Sequence, residues 1–150
     1  MQASVSDVQK VQSIVTELLG KLSVSAKAHV FAVEEYIKIE IDGKDAPILI
    51  GREGDNLQAL RHLISIIIRN QIADDAVVMV DVADYLARKE QRIIETAKKA
   101  AAKFDKTKEP QDLPPMNPYE RRLAHSWLSD NGYDSESAGE GYNRHIVVKK

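Results

Sequence analysis

The sequence predicts an α+β protein built from two small domains, and three observations carry that expectation. Stretches with helical period, first Val8, Val11, Val15, Leu18 and Leu22 and later Leu57, Leu60, Ile64 and Ile67, alternate with stretches of period two, Ile37, Ile39, Ile41 and then Val78, Val80, Val82. A boundary rich in proline, residues 106–115, separates this part from a short remainder with its own helix and two extended stretches. Between the Ile37–Ile41 stretch and the apolar helix that contains Leu57 lies Gly51-Arg52-Glu53-Gly54, a Gly-x-x-Gly junction.

The first helix spans Val8 to Leu22 and ends near Gly20. Val30, Phe31 and Val33 form a strand, Glu34-Glu35 a turn, and Ile37 to Ile41 a second strand with Lys38 and Glu40 facing away from the core. Asp42-Gly43-Lys44-Asp45 is a turn, and Pro47 suits the first turn of a short helix. After the glycine junction, Asp55 or Asn56 is expected to cap the next helix, whose wide apolar stripe indicates burial against a sheet. A strand over Ala76–Val82 follows, and then a basic helix from Asp84 to about Phe104.

Pro118 opens a helix that runs to Asn131, with Gly132 as its stop. Tyr133–Ser137 and His145–Lys149 are extended, with a turn at Gly139 and Gly141. The domain boundaries expected are therefore 1–83, a connecting helix over 84–105, and 106–150.

Composition narrows the function classes. A hydrophobic fraction of 43% with 29% charged residues describes a globular chain, and the longest apolar runs are too short to span a bilayer, so no membrane insertion is expected. Neither a secretory leader pattern nor a cysteine is present, which fits a reducing, cytoplasmic setting. The net charge is −2, with residues 1–105 holding 14 Lys/Arg against 16 Asp/Glu and residues 106–150 holding 7 of each. Any polyanion must therefore be met by a local patch and not by a long-range field.

Two constellations carry chemistry. Two glycines three apart free the backbone and remove the side chains that would keep a sugar-phosphate strand away. Gly51 and Gly54 would let backbone N–H groups and the start of the helix near Asn56 meet a phosphate, with Arg52 supplying charge and Glu53 opposing it. Ile48, Ile50, Ile39 or Leu57 would floor the groove for bases. In the second constellation Arg121 and His125 stand four apart on one helical face, followed by Arg122 on its flank and Arg144 on the last strand. A guanidinium fork suits phosphate oxygens. The competing reading pairs Arg121 with Asp134 or Glu136 and leaves His125 to a local hydrogen bond. Arg88, Arg92, Lys99 and Lys103 on the long helix are read as a solvated face.

These segments resemble known domains. The glycine loop in this element order looks like a KH domain of type II order, a three-stranded sheet with helices on one face. The run Pro115-Met116-Asn117-Pro118-Tyr119-Glu120-Arg121-Arg122-Leu123-Ala124-His125 and the tail Ser137 to Val148 are similar to the R-3-H domain, named for its Arg-x-x-x-His spacing. The pairing resembles the bacterial Jag family, also called SpoIIIJ-associated or KhpB proteins. That resemblance implies single-stranded RNA, or single-stranded DNA, as partner, gripped by Gly51, Arg52, Glu53, Gly54 and Asn56 and by Arg121, Arg122, His125 and Arg144. It also implies roles in cell-envelope growth or sporulation, and a homodimer or a heterodimer with a small single-KH protein. Many members begin with a further domain and a charged linker, neither of which lies in these 150 residues, and Tyr142 stands where the family pattern has proline, a change that would alter the final turn or supply a stacking ring.

No cofactor or metal is expected, and no catalysis. No carboxylate or histidine cluster has metal-ligand spacing, and a hydrolase built on Glu120, His125 and Arg121 lacks a nucleophile motif. The alternative kept open is a protein-interaction module in which nucleic acid is secondary. Two Phe, one Trp and five Tyr are few rings for stacking, and Phe31, Trp127 and Phe104 are read as structural.

Overall fold

The computed structural model describes residues 4–149. The chain divides into two compact units, Met1–Tyr85 and Leu86–Lys150, each with its own core.

The first unit runs α1 (Val5–Lys21), β1 (Lys27–Val33), β2 (Tyr36–Asp42), α2 (Ala46–Ile50), a 3-10 turn (Arg52–Gly54), α3 (Asp55–Gln71) and β3 (Val78–Val82). Strand order is β1-β2-β3, with β1 antiparallel and β3 parallel to the central β2. Only a crossover can join parallel neighbours, and α2 and α3 supply it. Period two in the strands puts Ala28, Val30, Ile37, Ile39, Ile41, Val80 and Val82 on one face, all buried against Val11, Val15 and Leu19 of α1 and Leu57, Leu60, Ile64 and Ile68 of α3. The α+β expectation with helices on one sheet face is thereby met.

The opposite face of that sheet carries the alternate residues. Phe31, Lys38 and Met79 form one cross-strand row, His29, Glu40 and Asp81 the next. Phe31 is 46% exposed, so the structural role expected of it is corrected: it lies at an odd position of β1, on the sheet face opposite α1 and α3.

Local contacts fix how the elements enter and leave. Ser4 and Asp7 form a reciprocal capping box at the start of α1. The side-chain amide of Gln12 donates to the Ala28 carbonyl at 2.7 Å and accepts from the Val30 N–H at 3.2 Å, so α1 hydrogen-bonds the outer edge of β1. Asp45 accepts from the Ser25 N–H at 2.6 Å and returns its own N–H to the Ser25 carbonyl at 3.1 Å. That reciprocal tie holds the segment after α1 beside α2.

The second unit contains most of α4 (Tyr85–Thr107), then β4 (Gln111–Asp112), α5 (Pro118–Asp130), β5 (Ser135–Ala138), a 3-10 turn (Gly141–Asn143) and β6 (His145–Val148). Its antiparallel sheet has the order β4-β6-β5. Ile93, Ala97, Ala101 and Phe104 make one stripe of α4 at helical spacing, and they pack with Leu113, Ala124, Leu128, Ile146 and Val148. The segment expected as an extended boundary contributes β4 and the buried Leu113, so it belongs to this core; two residues of strand are too few for a periodic signal.

Candidate nucleic-acid interface

The Gly-x-x-Gly loop sits between two helices of the first unit. Gly51 has φ 70° and Gly54 φ 86°, both in the left-handed region. A Cβ on Gly51 would lie 2.6 Å from the Asn56 side chain. Glu53 also adopts a left-handed φ, 53°, at a cost of about 1–2 kcal/mol for a residue with a Cβ. Arg52 and Glu53 are both exposed.

The cap of α3 differs from the expectation. Gly54 is the N-cap and no side chain bonds the first-turn N–H groups. Asn56 turns back instead, donating from Nδ2 to the Ile48 carbonyl at 2.8 Å. It ties the end of α2 to the start of α3. The N-cap of this 17-residue helix is thus a glycine with no side chain to offer, and the Asp55 N–H donates to the Arg52 carbonyl within the 3-10 turn.

Adjacent to the loop lies an apolar groove of about 330 Å³, lined by Leu22, Val24, Ile48, Asn56 and Leu63 among others. Leu22, Ile48 and Leu63 are 47%, 59% and 41% exposed. Of the four residues expected to floor the groove, only Ile48 does so. Ile39 and Leu57 are fully buried and Ile50 nearly so, because all three face the sheet–helix core. Leu22 and Val24 carry no local signal for this role; the Ser25–Asp45 tie brings them there.

The second constellation is assembled by the packing of α5 on β5 and β6. Asn117 and Glu120 form a capping box that starts α5, and Glu120 also meets Lys89 at 2.8 Å in a half-buried ion pair. Tyr119 adds a hydrogen bond to Glu90, which raises the Tyr119 pKa above its ordinary value. These contacts hold the helix that presents Arg121, whose Nη1 donates to the Met116 carbonyl at 2.6 Å. Arg144, at the start of β6, donates from Nε to Ser137 Oγ at 2.9 Å. Neither guanidinium is paired with a carboxylate among the described residues. Both line one cavity of about 530 Å³, with Pro115, Met116, Pro118 and Tyr142.

His125 does not line that cavity. Its Nδ1 lies 2.6 Å from Ser135 Oγ, so the residue is held against β5 one turn along from Arg121. Arg122 is exposed on the helix flank. Met116 was not among the site residues expected from sequence, and Tyr142 was expected only as a departure from the family pattern that would alter the final turn or supply a stacking ring.

His145 has an acceptor at each ring nitrogen: the Asn143 carbonyl 2.8 Å from Nδ1 and Asp112 Oδ1 3.2 Å from Nε2. The Asn143 carbonyl does most to raise its pKa above the ordinary 6.5; desolvation opposes the shift next, and the Asp112 carboxylate adds to the rise. No group of three or more His, Asp or Glu side chains is gathered to hold a metal among the described residues, and none of their helices is long and apolar enough to cross a membrane.

Comparison with known proteins supports the same division. A family model described as the KhpA/KhpB KH domain matches residues 8–81, and one described as the R-3-H domain matches residues 91–150. The RNA-binding protein KhpB of Clostridium symbiosum is 34% identical over 116 residues, covering 77% of this chain and 52% of that protein. KhpB of Bacillus subtilis is 31% identical over 142 residues, 91% of this chain and 65% of that protein. KhpB of Lactiplantibacillus plantarum is 28% identical over 132 residues, 87% of this chain and 41% of that protein. The chain thus spans between 41% and 65% of the length of these curated relatives.

Proposed function

This chain belongs to the Jag (KhpB) family, joining a KhpA/KhpB-type KH domain to an R-3-H domain, and from that premise we propose that it is a single-stranded RNA-binding regulatory protein. The observation that carries the proposal is the placement of the exposed Gly51–Gly54 loop beside an exposed apolar groove. Apolar side chains left in water next to a glycine turn and a helix N-terminus that no N-cap side chain covers suit a strand whose phosphates and bases must be met together.

In this reading Gly51 and Gly54 admit the sugar-phosphate backbone, Arg52 meets a phosphate, and bases lie against Ile48 and Leu63. Asn56 acts by holding α2 to α3. Arg121 and Arg144 meet phosphates in the second unit, with His125 and Arg122 beside them. Glu120 is engaged by Asn117 and Lys89 and so serves to hold α5 in place.

Labelled single-stranded RNA and DNA, titrated against wild type, Arg52→Glu and Arg121→Ala at two salt concentrations, test the proposal. Both variants should weaken RNA binding while circular dichroism stays unchanged. Unchanged affinity for both sinks it.

A second reading is favoured by the sheet face of the first unit opposite α1 and α3, where Phe31, Val77 and Met79 are 46%, 57% and 42% exposed. That face suits a protein partner, including a second copy or a small KH protein. Sedimentation of wild type and Phe31→Ser/Met79→Ser separates the two readings, since self-association would be lost there without loss of RNA binding.

A further inference from the structure

Tyr142 is fully exposed, yet its backbone is firmly held. It is carried on the 3-10 turn Gly141–Asn143. Asn143 N–H donates to the Glu140 carbonyl at 3.1 Å, Arg144 N–H to the Gly141 carbonyl at 3.3 Å, and Met116 N–H to the Arg144 carbonyl at 3.0 Å. The missing Cβ of Gly139 leaves room for the Asn143 carbonyl, which would lie 2.6 Å from such an atom. A ring left in water on a tied turn is presented, with little backbone ordering left to lose on binding.

The ring forms part of the wall of the cavity of about 530 Å³, together with Pro115 and Met116, while Arg121 and Arg144 contribute two guanidiniums. Pockets for small ligands run to about 300–1,000 Å³, so one nucleotide fits. The start of α5 adds little attraction for an anion, because Asn117 and the Glu120 carboxylate already occupy it. What remains is an apolar and aromatic wall beside two cations. A flat base joined to a phosphate matches both parts at once; a free inorganic anion would use only one.

We infer that Tyr142 is a stacking platform for one nucleobase of a bound RNA strand, with Arg121 and Arg144 holding phosphate beside it. The inference rests on the RNA-binding function proposed above. It assigns the second unit a contact to a base as well as to the backbone. Any base has a face that can stack, and purines offer the larger one, so the contact tolerates sequence while favouring purines.

A short single-stranded RNA and a fully abasic strand of the same length, titrated against the whole chain, test it. The ratio of the two affinities should be about tenfold larger for wild type and Tyr142→Phe than for Tyr142→Ala. An exposed ring can be removed without harm to the core, so all three proteins should share one thermal midpoint. If Tyr142→Ala binds the intact strand and keeps the wild-type ratio, the stacking role is overturned and RNA binding stands. If wild type binds neither strand, the proposed function fails and the inference falls with it.

Discussion

The ring of Tyr85 lies against Gly54, so that a Cβ built on the glycine would sit 2.9 Å from the ring Cε1 and from its hydroxyl oxygen. Tyr85 is buried in the first core, and two consecutive left-handed residues, Ala83 at φ 49° and Asp84 at φ 51°, lead into it. The glycine thus serves the inside of the protein as well as its loop surface. Gly54→Ala should lower the stability of the first unit by about 1–3 kcal/mol, through both overpacking and a disfavoured φ. Urea unfolding of Gly54→Ala, Tyr85→Ala and the double variant checks this, and the double variant should recover part of the loss.

Glu53 combines a left-handed φ with a negative charge in the loop. Asparagine tolerates that conformation better and carries no charge. Glu53→Asn should keep or raise the thermal midpoint and tighten RNA binding about threefold at low salt, with the gain fading as salt screens it. Fluorescence anisotropy at two ionic strengths reads the difference.

Leu63 is 41% exposed on the groove wall. Leu63→Asp should leave the fold within about 0.5 kcal/mol of wild type, as surface changes usually do. It should weaken RNA binding at least tenfold, by placing a carboxylate where a strand passes. Equal affinities would remove the groove from the interface.

Arg144→Ala should reduce the slope of log affinity against log salt by about 0.7 for each phosphate no longer neutralised. Arg121→Ala should do the same, with an added effect on stability because Arg121 also holds the Met116 carbonyl. Salt titrations of both variants measure the slopes directly.

The raised pKa of His145 has a definite pH signature. A folded-state value above the unfolded one means that protonation favours the folded chain. That stability is fully present below the ordinary value of 6.5 and is lost as pH rises through the higher folded value. Thermal midpoints of the second unit should therefore fall with rising pH across that window. His145→Gln should flatten the profile, and Asp112→Asn should shift it downward.

Much of this architecture could be read from residue spacing. Ile37, Ile39 and Ile41 announce a strand and Leu57, Leu60 and Ile64 a helix, because burial on one face imposes a period. The inward or outward direction of Phe31 could not be read, since an aromatic ring is apolar whichever face it occupies. Ile39, Ile50 and Leu57 were expected in the groove because apolar side chains near the loop suit both groove and core. The outcome was decided by three-dimensional ties such as Ser25 to Asp45. Arg121 and Arg144 were legible by motif, but their sharing of one cavity depends on β6 lying where α5 can reach it. The part of β4 was invisible because two residues display no period.

Gln12 has a consequence for the protein's behaviour at high concentration. An edge strand with free N–H and C=O groups is a template on which another chain can add a strand. By engaging Ala28 and Val30, the Gln12 amide imitates a neighbouring strand at the outer edge of β1 and blocks strand addition along that stretch of the edge. The helix that completes the core thereby also guards its rim against fibrous assembly, a form of colloidal protection achieved by one uncharged side chain.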